Sequence, residues 1–252
     1  MRQSLQSKQM TDINEVIVKY CPPDDPNGIM NWDIFDESTV VTGATGSGKS
    51  TLVRDEIVPK LQGVPLWILD PKKRFSDCGI VVNDVEKLNK DFQQVFQPRD
   101  LSESMFRKFC AKLNNQSNIH AIIDEAPLWM SKQNKIKEHY DLAQSKRNDG
   151  VTVTTIATDT KAIPNYILRN VTHVYSLRYN LRSDVDWLFD YIGEKAEFLL
   201  TPDKREPIDT GFKFDDGRPI TFNDLPMLAP YSYVYRDLRK HDASIMRGFA
   251  VE

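Results

Sequence analysis

The sequence predicts an α/β fold: a mainly parallel central sheet flanked by helices, with an N-terminal arm and a C-terminal appendage. Three observations lead there. Short Val- and Ile-rich runs alternate with helix-patterned segments between residues 38 and 180, the order expected of parallel strands joined by crossover helices. These runs lack strict polar alternation, as strands buried on both faces do. The first of them leads into a Gly-rich loop, VTGATGSGKST (41–51), which opens a helix-like run.

Each element has its own signal. Residues 1–30 form an arm, Gln-rich at first and then dense in turn residues (CPPDDPNG). The core is assigned to 31–180 and a C-terminal extension packing on it to 181–252. Within the core, STVVT is a strand, 49–61 a helix ending near Pro59, PLWIL a strand and GIVV a short strand. Helical stretches are expected at 84–96 and 101–114. HAII is a strand, 132–148 a helix, VTVTTIA a strand, then a short helix after Pro164 and the strand VTHVYSL. LRSDVDWLFDYIG is expected to form one helix closed by Gly193. The last sixty residues are turn-rich, and no internal repeat is present.

Bulk properties narrow the function. The chain has 252 residues, 40% of them apolar, enough for a sizeable core. Its formal net charge of −3 gives no global basic field. Three cysteines (Cys21, Cys78, Cys110) lie far apart, which argues for reduced thiols in a cytosolic setting and against a disulfide frame or zinc site. The four histidines are scattered as well. No apolar run approaches the ~20 residues that span a bilayer, and MRQSLQSKQM lacks the apolar middle of a signal peptide.

The Gly-rich loop fits G-x-x-x-x-G-K-[ST], with Gly43, Gly48, Lys49 and Ser50 at the fixed places. Glycines let consecutive backbone N–H groups turn inward on a phosphate. The expected binding set is Gly43, Ala44, Thr45, Gly46, Ser47, Gly48, Lys49, Ser50 and Thr51. Lys49 would reach the β- and γ-phosphates of ATP, and Ser50 would offer its hydroxyl to Mg²⁺. The helix behind the loop adds the partial positive charge of its N-terminus. Hydrolysis also needs a carboxylate on the metal side and a group that orients water. NIHAIIDEAP supplies both. Asp124 and Glu125 follow a buried strand, whose carboxyl end faces the ligand crevice in a doubly wound sheet. Asp124 is assigned to Mg²⁺ and Glu125 to the attacking water, against the plainer reading that the pair caps a helix.

Three further pieces carry a family resemblance: WILDPKKRFSD, KRNDGVTVTTIATD and AIPNYILRNVTHVYSLRYN. In this order, behind this P-loop and Asp-Glu pair, the chain resembles the FtsK–HerA superfamily of DNA-pumping P-loop ATPases. It is most similar to the genome-packaging ATPases of membrane-containing and giant DNA viruses, including the poxvirus type. The resemblance implies a RecA-like P-loop NTPase core and a homo-oligomeric ring of five or six subunits around double-stranded DNA. It further implies capsid or vertex proteins as partners and a place in the cytoplasm of the infected cell or on the virion. It implies an arginine given in trans to a neighbour's γ-phosphate. Arg147 matches that position, with Arg169 and Arg178 as rivals. Where the family carries a sensor glutamine after the next strand, this chain has Asp159, preceded by Thr158. An ionised carboxylate only accepts hydrogen bonds, so the sensing role falls to Thr158 or is altered. Basic clusters at Lys72–Lys73–Arg74 and at Lys132, Lys135 and Lys137 are candidate DNA contacts.

The expected function is ATP-driven translocation of double-stranded DNA into a preformed capsid. Three alternatives stay open: a morphogenesis or secretion ATPase of the Zot type, a small-molecule kinase, and an assembly protein gated by ATP without turnover. A GTPase is disfavoured, because NKIK and NKDF both lack the final Asp of N-K-x-D.

Overall fold

The computed structural model describes residues 37–131, 135–145, 149–225, 227, 232–239 and 244–246. The expected N-terminal arm, Cys21, Lys132 and Arg147 lie outside the described residues.

The strands are β1 (Thr39–Thr42), β2 (Leu66–Leu69), β3 (Ile80–Val82), β4 (Gln94–Phe96), β5 (Ile119–Ile123), β6 (Val151–Ala157), β7 (His173–Leu177), β8 (Asp209–Lys213), β9 (Pro219–Thr221), β10 (Tyr233–Asp237) and β11 (Ser244–Met246). Nine of them form one sheet in the order β11-β10-β7-β1-β6-β5-β2-β4-β3. From β7 to β3 every pairing is parallel. β10 and β11 run antiparallel at the β7 edge. β8 and β9 form a separate hairpin.

Successive strand residues point to opposite faces, and both faces are covered. Val40, Trp67, Leu69, Ile119, Ala121, Ile123 and Val153 belong to one apolar cluster. Val41, Leu66, Ile68, Ile122 and Ile156 belong to the other. The first is closed by helix Glu103–Asn114, whose Phe106, Phe109, Cys110 and Leu113 are all buried. Their i, i+3, i+4, i+7 spacing makes one apolar stripe, and Ser102 caps the helix by accepting from Met105 N at 3.3 Å. The second is closed by the helical segment behind the P-loop, through Leu52, Val53, Ile57 and Leu61.

That segment is α-helical at Lys49–Leu52, opens to a π turn at Val53–Ile57 and closes again at Val58–Lys60. Pro59 has no N–H to donate and its ring crowds the carbonyl four residues back. The widened turn just before it accommodates both.

Two expectations are corrected. Residues 84–96 do not form a helix: Val85–Lys87 is a 3₁₀ turn and Gln94–Phe96 is β4, between β2 and β3. Phe92, Val95 and Phe96 imitate a helical stripe, but Phe92 is 53% exposed, while Val95 and Phe96 enter opposite apolar clusters. The expected single helix at 181–193 is two short ones, Arg182–Asp186 and Phe189–Ile192, followed by a 3₁₀ stretch from Gly193. Val185, Leu188 and Ile192 still bury one stripe.

Candidate active site

The carboxyl ends of β1, β2, β5, β6 and β7 lie along one edge of the sheet, and the loops that leave them build the site. The P-loop follows β1. Gly43 has φ +152°, and a Cβ there would stand 2.7 Å from Ser47 Oγ and 2.9 Å from Leu177 Cβ, so the first turn has room for glycine alone. Gly48 precedes the helix in the left-handed region (φ +99°). Ala44 N donates to Arg178 O at 2.9 Å, tying the loop to the end of β7.

Lys49 is nearly buried and folds across its own loop, where Nζ donates to Gly43 O and Ala44 O, both at 2.8 Å. Burial draws its pKa down to about 8, opposed by the negative charge of Glu125 and assisted by the positive charge of Arg74. The ammonium is thus held by weak acceptors above an anion-shaped cradle.

Asp124 lies just past β5, 1% exposed, its N–H given to Leu69 O at 3.0 Å. Neither carboxylate oxygen has a hydrogen-bond partner of good geometry among the described residues. Burial raises its pKa to about 7, and the neighbouring Glu125 charge adds to the shift. A buried carboxylate left without donors fits a divalent cation, as does the Ser50 hydroxyl in the first turn of the helix behind the P-loop, since hard cations take oxygen ligands. Glu125 takes left-handed backbone angles (φ 51°, ψ 47°), a strain of about 1–3 kcal/mol for a non-glycine residue. This turn sends its side chain toward the P-loop, where Oε1 pairs with Arg74 Nη1 at 3.1 Å. The Asp-Glu step also begins a short 3₁₀ turn, Ala126–Leu128, but no Glu125 side-chain cap forms there.

A cavity of about 530 Å³ lies over the P-loop, lined by Gly48, Lys49, Ser50, Arg54, Lys73 and Arg74 among others. A second, of about 230 Å³, lies on the other side of the loop between Ala44–Ser47 and Arg178–Asn180.

The structure brings Gly43 to Thr51, Asp124 and Glu125 to one place. Thr158 and Asp159 follow β6 along the same edge, but Asp159 is exposed and caps its own turn, accepting from Lys161 N at 2.8 Å. Arg169 is exposed at the end of the short helix Asn165–Leu168. Arg178 lines the second cavity. Lys135 lies over the ring of Tyr140, 3.3 Å from its centroid. Two participants escaped the sequence reading. Arg74 faces the site, and Asp70 holds the loop that carries it. The LDPKKRF string marked the segment, but nothing in it tells which of three cations turns inward. Among the described residues no cluster of metal-ligating His, Cys, Asp and Glu side chains is present, and no helix is long and apolar enough to cross a membrane.

No protein-family profile matches the chain, and no curated protein matches it in sequence. Solved structures do match. The genome packaging NTPase B204 from Sulfolobus turreted icosahedral virus 2, in complex with AMPPCP, is 17% identical over 87% of this chain and all of that one, with a TM-score of 0.64. B204 from Sulfolobus turreted icosahedral virus, a DNA-packaging ATPase, is 16% identical over 85% of this chain and 98% of that one, at 0.61. The pCW3 conjugation coupling protein TcpA is 17% identical over 93% of this chain and 70% of that one, at 0.52. This chain has the fold of these structural neighbours.

Proposed function

We propose that the chain is an ATPase that works as a homo-oligomeric ring and drives double-stranded DNA, the genome of a virus, into a preformed capsid. The observation that carries the hydrolytic part is the set at the sheet edge: Lys49 over the P-loop carbonyls, Asp124 buried without a donor, and Glu125 turned inward at a cost in backbone strain. The packaging NTPase B204, solved with a nucleotide analogue, and the coupling protein TcpA are structural neighbours that support this reading.

Each residue then has a task. The backbone N–H groups of 44–50 cradle the phosphates. Lys49 exchanges its two carbonyl partners for phosphate oxygens, which are stronger acceptors of a charged donor. Ser50 and Asp124 would hold Mg²⁺, which would neutralise phosphate charge. Glu125 orients water and takes its proton, a role typically worth about 10²–10⁴-fold in rate. An arginine from the neighbouring subunit, with Arg147 in that position, would stabilise charge in the transition state and make turnover depend on assembly.

The test is steady-state ATP hydrolysis across a protein concentration series, with and without linear duplex DNA. Turnover per subunit is expected to rise steeply with concentration and again with DNA. E125Q is expected to bind ATP and to lose at least ~100-fold in turnover. Turnover indifferent to both concentration and DNA removes the translocase, and normal turnover in E125Q removes the assignment of Glu125.

A further inference from the structure

Besides Lys49, the cavity over the P-loop is lined by the cations Arg54, Lys73 and Arg74, and Arg74 reaches both Glu125 and Ser50. Arg74 belongs to the loop after β2, and its backbone is fixed from the sheet. Asp70 Oδ1 accepts from Arg74 N at 2.9 Å, and Oδ2 accepts from Phe75 N at 3.0 Å and from Gln97 Nε2 at 3.1 Å. Phe75 is fully buried in the core, and Lys73 turns the chain with φ +56°. The guanidinium, with its side chain 40% exposed, reaches from this anchor across the cavity mouth. Nη1 lies 3.1 Å from Glu125 Oε1 and donates to Ser50 Oγ at 3.2 Å.

One cation therefore sits on two groups that hydrolysis needs for other purposes. Ser50 Oγ cannot serve both the guanidinium and a metal ion. Glu125 Oε1 cannot orient water while it is occupied by the guanidinium. A guanidinium prefers phosphate, which offers more charge and a geometry that matches its fork. We infer that Arg74 is a phosphate-binding arginine supplied by the same chain, with Glu125 as its resting partner, so that the terminal phosphates of an entering nucleotide free Glu125 by taking its cation. This rests on the nucleotide-site reading above and adds to it the control of that site. Arg74 is a positioning residue for Glu125 before the nucleotide arrives and a phosphate ligand afterwards.

Equilibrium binding of ATP and of AMP, measured in excess chelator, tests the exchange without turnover or DNA. R74Q is expected to weaken ATP binding about tenfold or more, the loss of one charged hydrogen-bonded contact, and to leave AMP binding unchanged. E125Q is expected to tighten ATP binding, and to do so more in the parent than alongside R74Q, because only the parent has a pair to break. R74K keeps the charge without the fork and is expected to fall between. A loss of fold would weaken AMP and ATP alike, so the ratio of the two affinities carries the result. ATP affinity within twofold of the parent in R74Q, or an E125Q effect of equal size in both backgrounds, overturns the inference. Failure of the parent itself to bind ATP would instead overturn the nucleotide site, and absence of DNA stimulation would touch only the translocase.

Discussion

Asp124 is a buried carboxylate whose oxygens have no hydrogen-bond partner among the described residues, and such a group destabilises the fold that holds it. The proposed Mg²⁺ role gives that cost a purpose. D124N replaces a costly charge with a neutral amide whose own burial costs about 1–3 kcal/mol, against several for an unpaired ion. The variant is expected to melt no lower than the parent while losing Mg²⁺-dependent hydrolysis by two orders of magnitude or more, roughly the worth of a transition-state charge contact. A thermal melt beside an activity assay checks it, and a fall of several degrees would mean that Asp124 has a structural partner after all. At this scale the sequence was legible where chemistry dictates spacing. The P-loop must place its glycines and lysine at fixed intervals to wrap a phosphate, so Gly43 to Thr51 could be read directly. Arg74 could not, because what aims it is Asp70, Gln97 and Phe75, and the run Lys72–Lys73–Arg74 reads as a solvated basic cluster or a DNA contact, not as part of a nucleotide site.

The elements that carry the site are held in register by contacts of their own. On β5, His120 is fully buried, Nδ1 against Thr152 Oγ1 and Nε2 against Thr154 Oγ1 on the neighbouring β6, both at 2.8 Å. Burial pulls its pKa down to about 3, far below the unfolded value near 6.5. A histidine with a depressed folded pKa contributes stability above the unfolded pKa, and this is lost as pH falls toward the folded value, since the unfolded chain binds the proton first. H120Q keeps groups for both threonine hydroxyls but cannot take up the proton. Denaturant unfolding at pH 7 and pH 4.5 is expected to show the parent losing more stability than H120Q, by on the order of 2 kcal/mol. An equal loss in both would mean that His120 charges inside the fold. The strand pair it fastens leads into Asp124, so this ladder sets the position of the Asp124–Glu125 turn. β5 and β6 were legible as strands because their Val, Ile and Thr content is high and their length adequate. β4 was not, because three residues carry too little pattern to outweigh the helical spacing of Phe92, Val95 and Phe96.

At the scale of the whole molecule, the core does not stop where the readable alternation of strands and helices stops. Apart from β4, the parallel part, β7 to β3, was foreseeable from residues 38–180, because Val- and Ile-rich runs alternate there with helix-patterned segments. The antiparallel edge was not, because β10 comes from a turn-rich stretch and joins β7 from more than fifty residues away. Yet β10 pairs with β7 along its whole length, from Tyr233 opposite Leu177 to Asp237 opposite His173. Val234 and Tyr233 are buried, Tyr235 packs on Tyr175, and Phe198 and Phe222 of the same extension fill the first apolar face. His173, against the ring of Tyr235, also pairs with buried Glu37 at the entrance to β1, so the extension bears indirectly on the strand that launches the P-loop. Deleting residues 232–252 would uncover the β7 edge, leave its N–H and C=O groups unpaired, and lose about 1.5–3 kcal/mol for each large apolar side chain removed from the interior. Against a total stability of about 5–15 kcal/mol for a typical domain, that is enough to unfold the chain or drive it to pair edges with a second copy. The truncated chain is therefore expected to be insoluble or to melt at least ~10 °C lower than the full chain, read by soluble yield and a thermal melt. A soluble monomer with an unchanged melting temperature would show that the parallel core closes at β7, and that β10 and β11 are a detachable cover rather than part of the sheet that positions Lys49, Asp124 and Glu125.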